Sequence, residues 1–375
     1  MPIDGTRSLG ATQTVNRPSA KPARQQRMLS LDAMRGLAAL IVIVFHASLF
    51  FEVVPKAYLA VDFFFLLSGV VIARAYTPRF ENGLTLARFM KERVIRVYPL
   101  LLLGLGIGYA EALVQFALQS PTKPSIMFLS VGTFFNMLML PSPVSTYSLF
   151  PFNIPAWSLF LELLANFAFA LFMVKLSNRV MVPLLALLGA CMVYIALQPA
   201  AFNVGDAWSN LAPGLVRTLF SFGLGVQMER ALRNRTVVAS WWSLVPMLAL
   251  CALLIAPIDA AEGIYDIALV FVAFPLIVWA GAHFNPPAVM KPIAQVLGDT
   301  SYAVYAVHYP LLFIAAGVAS WLGVPVLVWL PLFMAAMLVA SVYLVRYYDA
   351  PARRWMARKL IKPAALSGHG LTATA

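Results

Sequence analysis

One apolar stretch of this chain carries an arginine and a histidine at a spacing that suits chemistry inside a membrane. The segment Leu31–Ser48 reads LDAMRGLAALIVIVFHAS, with Arg35 near its start and His46 near its end. An ionisable side chain in an apolar span is costly and indicates a functional site. Eleven residues make about three helical turns, so the two side chains share one stripe and lie roughly 16 Å apart along the axis. We therefore expect this helix to contact two ends of a long substrate.

A second apolar stretch, VDFFFLLSGVVIARAY, begins at residue 61 and carries a carboxylate. Asp62 and Gly69 are seven residues apart and share one face of a helix, with Ser68 beside them. A glycine lets a neighbouring backbone approach closely. Two interpretations stay open: Asp62 and Ser68 bind substrate, or Asp62 caps a helix and the Ser68–Gly69 pair is a packing notch.

A third stretch, IPAWSLFLELLANF, places a polar stripe on an apolar helix. Ser158, Glu162 and Asn166 follow one another at intervals of four residues. A carboxylate at the depth of Glu162 must face protein or water, so it either takes part in the reaction or pairs with an arginine from another span. Trp157 is expected at the outer interface, where it serves as an interfacial anchor or contacts substrate.

A fourth stretch, GDTSYAVYAVHYP, carries another polar stripe near the end of the chain. Ser301, Tyr305 and His308 recur at positions i, i+4 and i+7. His308 either contacts substrate or is a hydrogen-bonded structural histidine. Arg217, near the outer end of a different span, is a candidate counter-ion for a buried carboxylate.

The sequence RFMKERVIRVYPL places two arginines at the cytoplasmic edge of a predicted span. Arg93 and Arg96 are three residues apart, on one helical face. Guanidinium groups suit bidentate recognition of phosphate. The alternative is the ordinary excess of positive charge on the inner side of a membrane, which suffices for Arg88 and Lys91.

The composition indicates a membrane protein with helical spans. Of the 375 residues, 61% are hydrophobic and only 11% are charged, too few polar residues to coat a soluble globule. Two cysteines are too few for a disulfide framework, and no motif resembles a metal site. We predict an all-α bundle of about ten transmembrane helices. Met127–Leu140 is too short to cross and is predicted to be re-entrant or to lie on the surface. The predicted spans are 33–52, 59–76, 97–117, 154–174, 180–197, 211–228, 240–257, 264–281, 298–318 and 325–346.

The distribution of basic residues predicts the orientation. With the N-terminus inside, all of the 27 lysines and arginines except Lys56, Lys123 and Arg217 lie at the inner side, while the outer loop with Asp259 and Glu262 is acidic. This bias predicts cytoplasmic termini and accounts for the net charge of +12 without a nucleic-acid partner. We expect a disordered basic arm over 1–28, a membrane domain over 29–349 and a basic cytoplasmic tail over 350–375.

Five of these sequence blocks occur together in a known family. In this order and over about 280 residues, the chain resembles the type-three acyltransferases, integral membrane enzymes that acylate carbohydrates and other acceptors. Near the end, Asp349 precedes Ala350 and Pro351 where the family more usually has a glutamate-containing version, which leaves the role of Asp349 open. The matching blocks are Asp32-Ala-Met-Arg35-Gly continuing to Phe45-His46, Val61-Asp62 continuing to Ser68-Gly69, Arg93-x-x-Arg96-x-x-Pro99, Trp157-Ser158-Leu159-x-x-Glu162, and Leu297-Gly298-x-x-Ser301-Tyr302 continuing to His308-x-Pro310.

The resemblance implies transfer of an acyl group, expected to be acetyl, from cytoplasmic acyl-coenzyme A to a hydroxyl of a carbohydrate or lipid-linked glycan. The expected location is a bacterial-type inner membrane, among lipid, with acyl-coenzyme A as co-substrate and no permanently bound cofactor or metal. His46, as general base or as a nucleophile forming an acyl-imidazole, and Glu162 are the candidate catalytic residues. The candidate substrate-binding residues are Arg35, Asp62, Ser68, Arg93, Arg96, Trp157, Ser301, Tyr302 and His308.

Two other membrane functions compete with this interpretation. In a proton-coupled secondary transporter, the intramembrane histidine, glutamate and arginine would form a proton relay. Such transporters usually consist of two related halves, and we find no repeat between 30–175 and 200–346. A glycan ligase acting on a lipid-linked sugar usually has a large polar outer loop, whereas the segment 118–153 is largely apolar. Saturable binding of coenzyme A distinguishes the acyltransferase from the transporter.

Overall fold

Helices dominate the computed structural model, which describes residues 27–51, 56–120, 124–198, 201–233, 235–256 and 262–361. The predicted all-α class is therefore confirmed, while most of the predicted N-terminal arm and Asp259 lie outside the described residues. Two short strands, β1 (Val238–Ala239) and β2 (Phe284–Asn285), pair in parallel. The α-helices are α1 (Leu29–Ala47), α2 (Ala60–Glu81), α3 (Leu86–Ala117), α4 (Thr133–Met137), α5 (Ala156–Leu171), α6 (Asn178–Ala196), α7 (Leu211–Leu232), α8 (Leu244–Ile255), α9 (Glu262–Ala268), α10 (Phe274–His283), α11 (Lys291–Leu322), α12 (Val326–Tyr343) and α13 (Ala350–Leu360).

The helices are those of an integral membrane protein. Within the described ranges, seven helical segments are long and apolar enough to cross a bilayer. Each of the ten predicted spans coincides with a helix, but α5 and α8 are short and α7 is not among the seven, so the number of ten crossings stays a prediction. The predicted non-crossing segment forms a short helix, Phe128–Met137, which begins with a π-helical turn.

Two helices extend further than predicted into sequence that is rich in charge. The helix α3 begins at Leu86 rather than at 97, because the side chain of Thr85 accepts a hydrogen bond from the backbone N–H of Arg88 and caps the helix. Arg93 and Arg96 therefore project from a helix. At the other end, the π-helical segment Leu344–Asp349 joins α12 to α13, so residues 350–360 are helical.

Close approach between helices fixes the frame of the bundle. The helix α1 packs along α11, and α2 packs along α7. A Cβ atom on Gly69 of α2 would overlap the carbonyl oxygen of Phe222 in α7, and a Cβ atom on Gly36 of α1 would lie 2.5 Å from the carbonyl oxygen of Leu297 in α11. Small residues allow such contacts in membrane bundles. The α1–α11 contact brings two of the predicted polar helices together, although their sequences lie at opposite ends of the chain.

Candidate active site

A cavity of about 250 Å³ lies between α1, α2, α3, α5 and α11. Seven of the predicted site residues line it, and they come from all five sequence blocks and from all five helices. Its remaining lining is mostly apolar and includes aromatic rings. The predicted residues in the lining are Arg35, Ser68, Arg93, Arg96, Glu162, Ser301 and Tyr302.

The carboxylate of Glu162 is held from two sides in this cavity. The hydroxyl of Ser68 donates a hydrogen bond to Oε1 at 2.6 Å. A terminal nitrogen of Arg93 lies 3.2 Å from the same oxygen. These contacts match the alternative in which Glu162 pairs with an arginine from another span, and they explain how its charge is compensated at this depth.

Arg35 connects α1 to α11. Its Nε donates to the hydroxyl of Ser301 at 2.9 Å, and one terminal nitrogen donates to the carbonyl oxygen of Gly298 at 3.0 Å. Asp32, one turn earlier on α1, lies 3.1 Å from that terminal nitrogen. The guanidinium group is thus oriented by three partners while part of it still faces the cavity.

Arg96 is more open than Arg93, with 38% of its side chain exposed. It lies over the ring of Tyr302, 5.4 Å from the ring centroid, and 3.8 Å from Asp349. Asp349 is buried and also pairs with Arg353 at 2.6 Å. Asp349, whose role the sequence left open, therefore has a structural role: it lies in the π-helical segment Leu344–Asp349 and connects this segment to Arg96 of α3 and Arg353 of α13.

A second cavity, of about 270 Å³, shares Arg35, Leu67 and Val71 with the first. Arg27 and Arg74 add two further guanidinium groups to its lining. Burial opposes the charge of Arg27, but hydrogen bonds and ion pairs with Asp32 and Asp299 raise its pKa. The two adjoining cavities together present several fixed positive charges beside an apolar chamber.

His46 lies outside both cavities. Its ring is 5.3 Å from the ring of His308 and 5.0 Å from that of Tyr309, measured between centroids. Tyr305 lines the first cavity, and its ring lies 5.8 Å from His308. The hydroxyl of Tyr305 is 2.6 Å from that of Ser158, which also lines the cavity. Tyr305 and Ser158 were part of the predicted polar stripes but were not selected as site residues, and their helical spacing was the available signal.

Asp62 and Trp157 do not line either cavity. Asp62 is fully buried and 2.7 Å from Arg217, which is 1% exposed. Arg217 also lies over the ring of Trp157, 5.9 Å from its centroid. The structure thus agrees with the expectation that Arg217 neutralises a buried carboxylate, and it separates this pair from the cavity residues.

Sequence comparisons add an independent finding. Residues 28–346 match the sequence model of a family described as an acyltransferase domain. A protein of Rhizobium radiobacter named Protein 2 in picA locus is 34% identical over 187 residues, which cover 46% of this chain and 96% of that protein. No solved structure matches the chain. Among the described residues, no group of three or more histidine, cysteine or acidic side chains is arranged to hold a metal ion.

Proposed function

Because the chain belongs to the type-three acyltransferase family, which it matches over residues 28–346, we propose that it transfers an acetyl group from acetyl-coenzyme A to a carbohydrate hydroxyl. Membership of the family makes it an acyltransferase, and its helices make it an integral membrane protein. We propose three further points: the donor is acetyl-coenzyme A, the acceptor is a surface or exported polysaccharide or a lipid-linked glycan, and the location is a bacterial inner membrane.

The observation that carries the proposal is the gathering of Arg35, Arg93 and Arg96 around one largely apolar cavity. Coenzyme A has a compact, strongly anionic nucleotide end and a long uncharged pantetheine arm. Guanidinium groups bind phosphate oxygens in pairs, and the apolar chamber suits the arm. Arg96 is the better exposed member of the Arg93–Arg96 pair, whereas Arg93 is engaged by Glu162. We assign Arg96 to direct phosphate contact and Glu162 to holding Arg93 and Ser68 in place.

His46 supplies the chemistry in this proposal. In a direct route, one ring nitrogen of His46 takes the proton of the acceptor hydroxyl while the oxygen bonds to the thioester carbonyl carbon. The C–S bond then breaks, and the thiolate takes the proton from His46. In a two-step route, the ring nitrogen bonds to the carbonyl carbon first, the C–S bond breaks, and the thiolate takes the proton of the other ring nitrogen. The acceptor oxygen then bonds to the acyl carbon, the C–N bond breaks, and the imidazole takes the proton of the acceptor hydroxyl. Both routes require an uncharged nitrogen on His46 with its lone pair free.

Binding of coenzyme A to the purified full-length protein tests the donor assignment. We expect Arg96→Ala to weaken binding by about 1.5–3 kcal/mol, the value of a charge-assisted contact, and Arg96→Lys to restore it poorly. The matched control is Arg230→Ala: Arg230 lies near the end of α7, binds Asn178 and the carbonyl of Met173, and lines neither cavity. Equal coenzyme A affinity in the Arg96→Ala and Arg230→Ala proteins would contradict the phosphate contact.

Transfer itself is tested with His46→Ala. This variant should insert, fold and bind coenzyme A, yet lose acetyl transfer by about 10²–10⁴-fold or more, since a general base contributes that much. The readout is release of free coenzyme A in the presence of the acceptor, together with acetylation of cell-surface glycan in a complemented deletion strain. Absence of saturable coenzyme A binding in the wild-type protein would favour the proton-coupled transporter instead.

A further inference from the structure

The ring of His308 is fixed in one tautomer. It is fully buried in α11, and its Nδ1 lies 2.9 Å from the carbonyl oxygen of Tyr305 and 3.2 Å from that of Val304. A carbonyl oxygen can only accept a hydrogen bond, so Nδ1 must carry the proton. In the neutral ring, the other nitrogen, Nε2, then has an unprotonated lone pair and acts only as an acceptor.

This acceptor has no hydrogen-bond partner among the described residues. Nε2 of His308 is buried and unbonded, and a buried polar atom without a partner requires an explanation. The neighbouring hydroxyl of Tyr305 is already committed to Ser158 and to the carbonyl of Pro155. The ring of Tyr309 lies further away, at 6.5 Å and perpendicular to His308. Among these described neighbours, the ring of His46 lies nearest, with its centroid 5.3 Å from that of His308, and a neutral imidazole has one N–H to donate.

The two histidine rings are close enough to pair. Their centroids are 5.3 Å apart and their planes differ by 36°. At this separation, two ring nitrogens that point at each other come within hydrogen-bond distance. The His46 ring is only partly buried, and the separation of the two rings allows its N–H to reach Nε2 of His308 when the two nitrogens face each other.

The geometry points to His308 as the positioning residue for His46, an assignment that rests on the proposed function in which His46 reacts. His308 Nε2 accepts a hydrogen bond from one nitrogen of His46, so the lone pair of the other nitrogen is directed at the reacting atom. The same tautomer serves both routes, since general base and nucleophile alike need that lone pair. His308 would act on His46 as the aspartate of a Ser-His-Asp triad acts on its histidine, by holding it in the correct tautomer, except that His308 is a neutral acceptor.

A comparison within the chain separates this role from a structural one. His283 in α10 makes the same local bond, from Nδ1 to the carbonyl oxygen of Trp279 at 2.8 Å. That bond satisfies a helical histidine without any use for Nε2. The unpaired Nε2 beside His46 is what distinguishes His308, and it is the atom that the experiment must remove.

Two substitutions test the roles of the two ring nitrogens of His308 separately. Asparagine in His308→Asn keeps an N–H group at the position of Nδ1 but has no atom at Nε2, whereas glutamine in His308→Gln places an amide group near Nε2 and can accept there. We expect His308→Asn to lower kcat about 10–100-fold, by analogy with the loss when the orienting partner of a metal-bound histidine is removed, with unchanged acetyl-CoA KM and coenzyme A affinity. His308→Gln should recover a large part of that loss, and His283→Asn should retain wild-type kcat.

Nitrogen-15 NMR of ring-labelled histidine gives a readout that does not depend on turnover. The chain has four histidines, so single substitutions assign the signals. In the wild-type protein, His308 should show the Nδ1–H tautomer and His46 a single tautomer, and in His308→Asn the His46 signals should report a mixture. Each of three results would overturn the assignment: a wild-type kcat in His308→Asn, an Nε2–H tautomer at His308, or an equal loss of coenzyme A binding in the asparagine and glutamine variants. Failure of the proposed function would look different, because His46→Ala would then retain transfer.

Discussion

Removing Asp62 should destabilise the protein strongly, because it leaves a charged guanidinium group in the interior. Arg217 is 1% exposed and Asp62 is 0% exposed, and Oδ2 of Asp62 lies 2.8 Å from Nε and 2.7 Å from a terminal nitrogen of Arg217. The carbonyl oxygens of Val204 and Tyr58 accept the other guanidinium hydrogen bonds. Breaking a buried ion pair on one side costs about 3–5 kcal/mol, so Asp62→Leu and Arg217→Met should each lower the free energy of unfolding by that amount.

The double variant should lose much less than the sum of the two single losses. With both charges gone, the main remaining cost is the two carbonyl oxygens that lose their donors, at about 1–3 kcal/mol each. The single losses add up to roughly 6–10 kcal/mol, against about 2–6 kcal/mol for the double variant, so we expect a coupling energy of a few kcal/mol. Coupling of this size is typical of residues in contact.

The measurement is a double-mutant cycle of unfolding free energies in detergent micelles, combined with coenzyme A affinity and acetyl transfer for each folded variant. Additive losses would show that the two side chains do not depend on each other. An Asp62→Leu protein with wild-type stability but no transfer would refute the structural reasoning and return Asp62 to the substrate site, where the sequence first placed it.

Two further outcomes test the packing and the orientation of the bundle. Gly69→Ala should lower the free energy of unfolding by about 1–3 kcal/mol, since its Cβ atom overlaps a backbone carbonyl of α7. The control Gly106→Ala should not lower it, because nothing lies within 4 Å of the added atom. Equal thermal unfolding of the two variants would contradict the contact. The orientation is tested with single cysteines in a chain whose native cysteines are replaced by serine. Gln198→Cys, just after α6, should react with an impermeant thiol reagent on intact cells, whereas Asn82→Cys, just after α2, should react only after permeabilisation. The reverse pattern would invert the predicted orientation.

Helical spacing predicted part of the cavity lining, although His46, Asp62 and Trp157 lie outside it. Arg35, Glu162 and Ser301 were each identified on separate apolar helices, and the structure brings all three to one chamber. Spacing reports the face of a helix on which a residue lies, and intramembrane polar groups must face the bundle interior. The sequence therefore predicts that each polar stripe faces the interior of the bundle, even though it does not show which helix the stripe contacts.

The choice of partner was not available from spacing, because several arrangements satisfy the same polar side chains. Glu162 contacts Arg93 and Ser68, whereas the sequence left open whether it takes part in the reaction or pairs with an arginine. The beginning of α3 was misplaced for another reason. Charge marks the edge of the apolar span, but the backbone remains helical as far as the cap at Thr85, since arginine, lysine and glutamate are good helix formers.

The pairing of α1 with α11 has a consequence for how the protein is made. The bond from Arg35 to Ser301 joins residues 266 positions apart. At about 5–20 residues per second, the ribosome needs roughly 15–50 s to synthesise that intervening chain. During this interval α1 holds a charged guanidinium group without its partners on α11, but Asp32, which lies 3.1 Å from that group in the folded protein, is on the same helix and three residues away. The helix α1 thus carries its own counter-ion into the bilayer, and assembly of the site waits for the synthesis of α11.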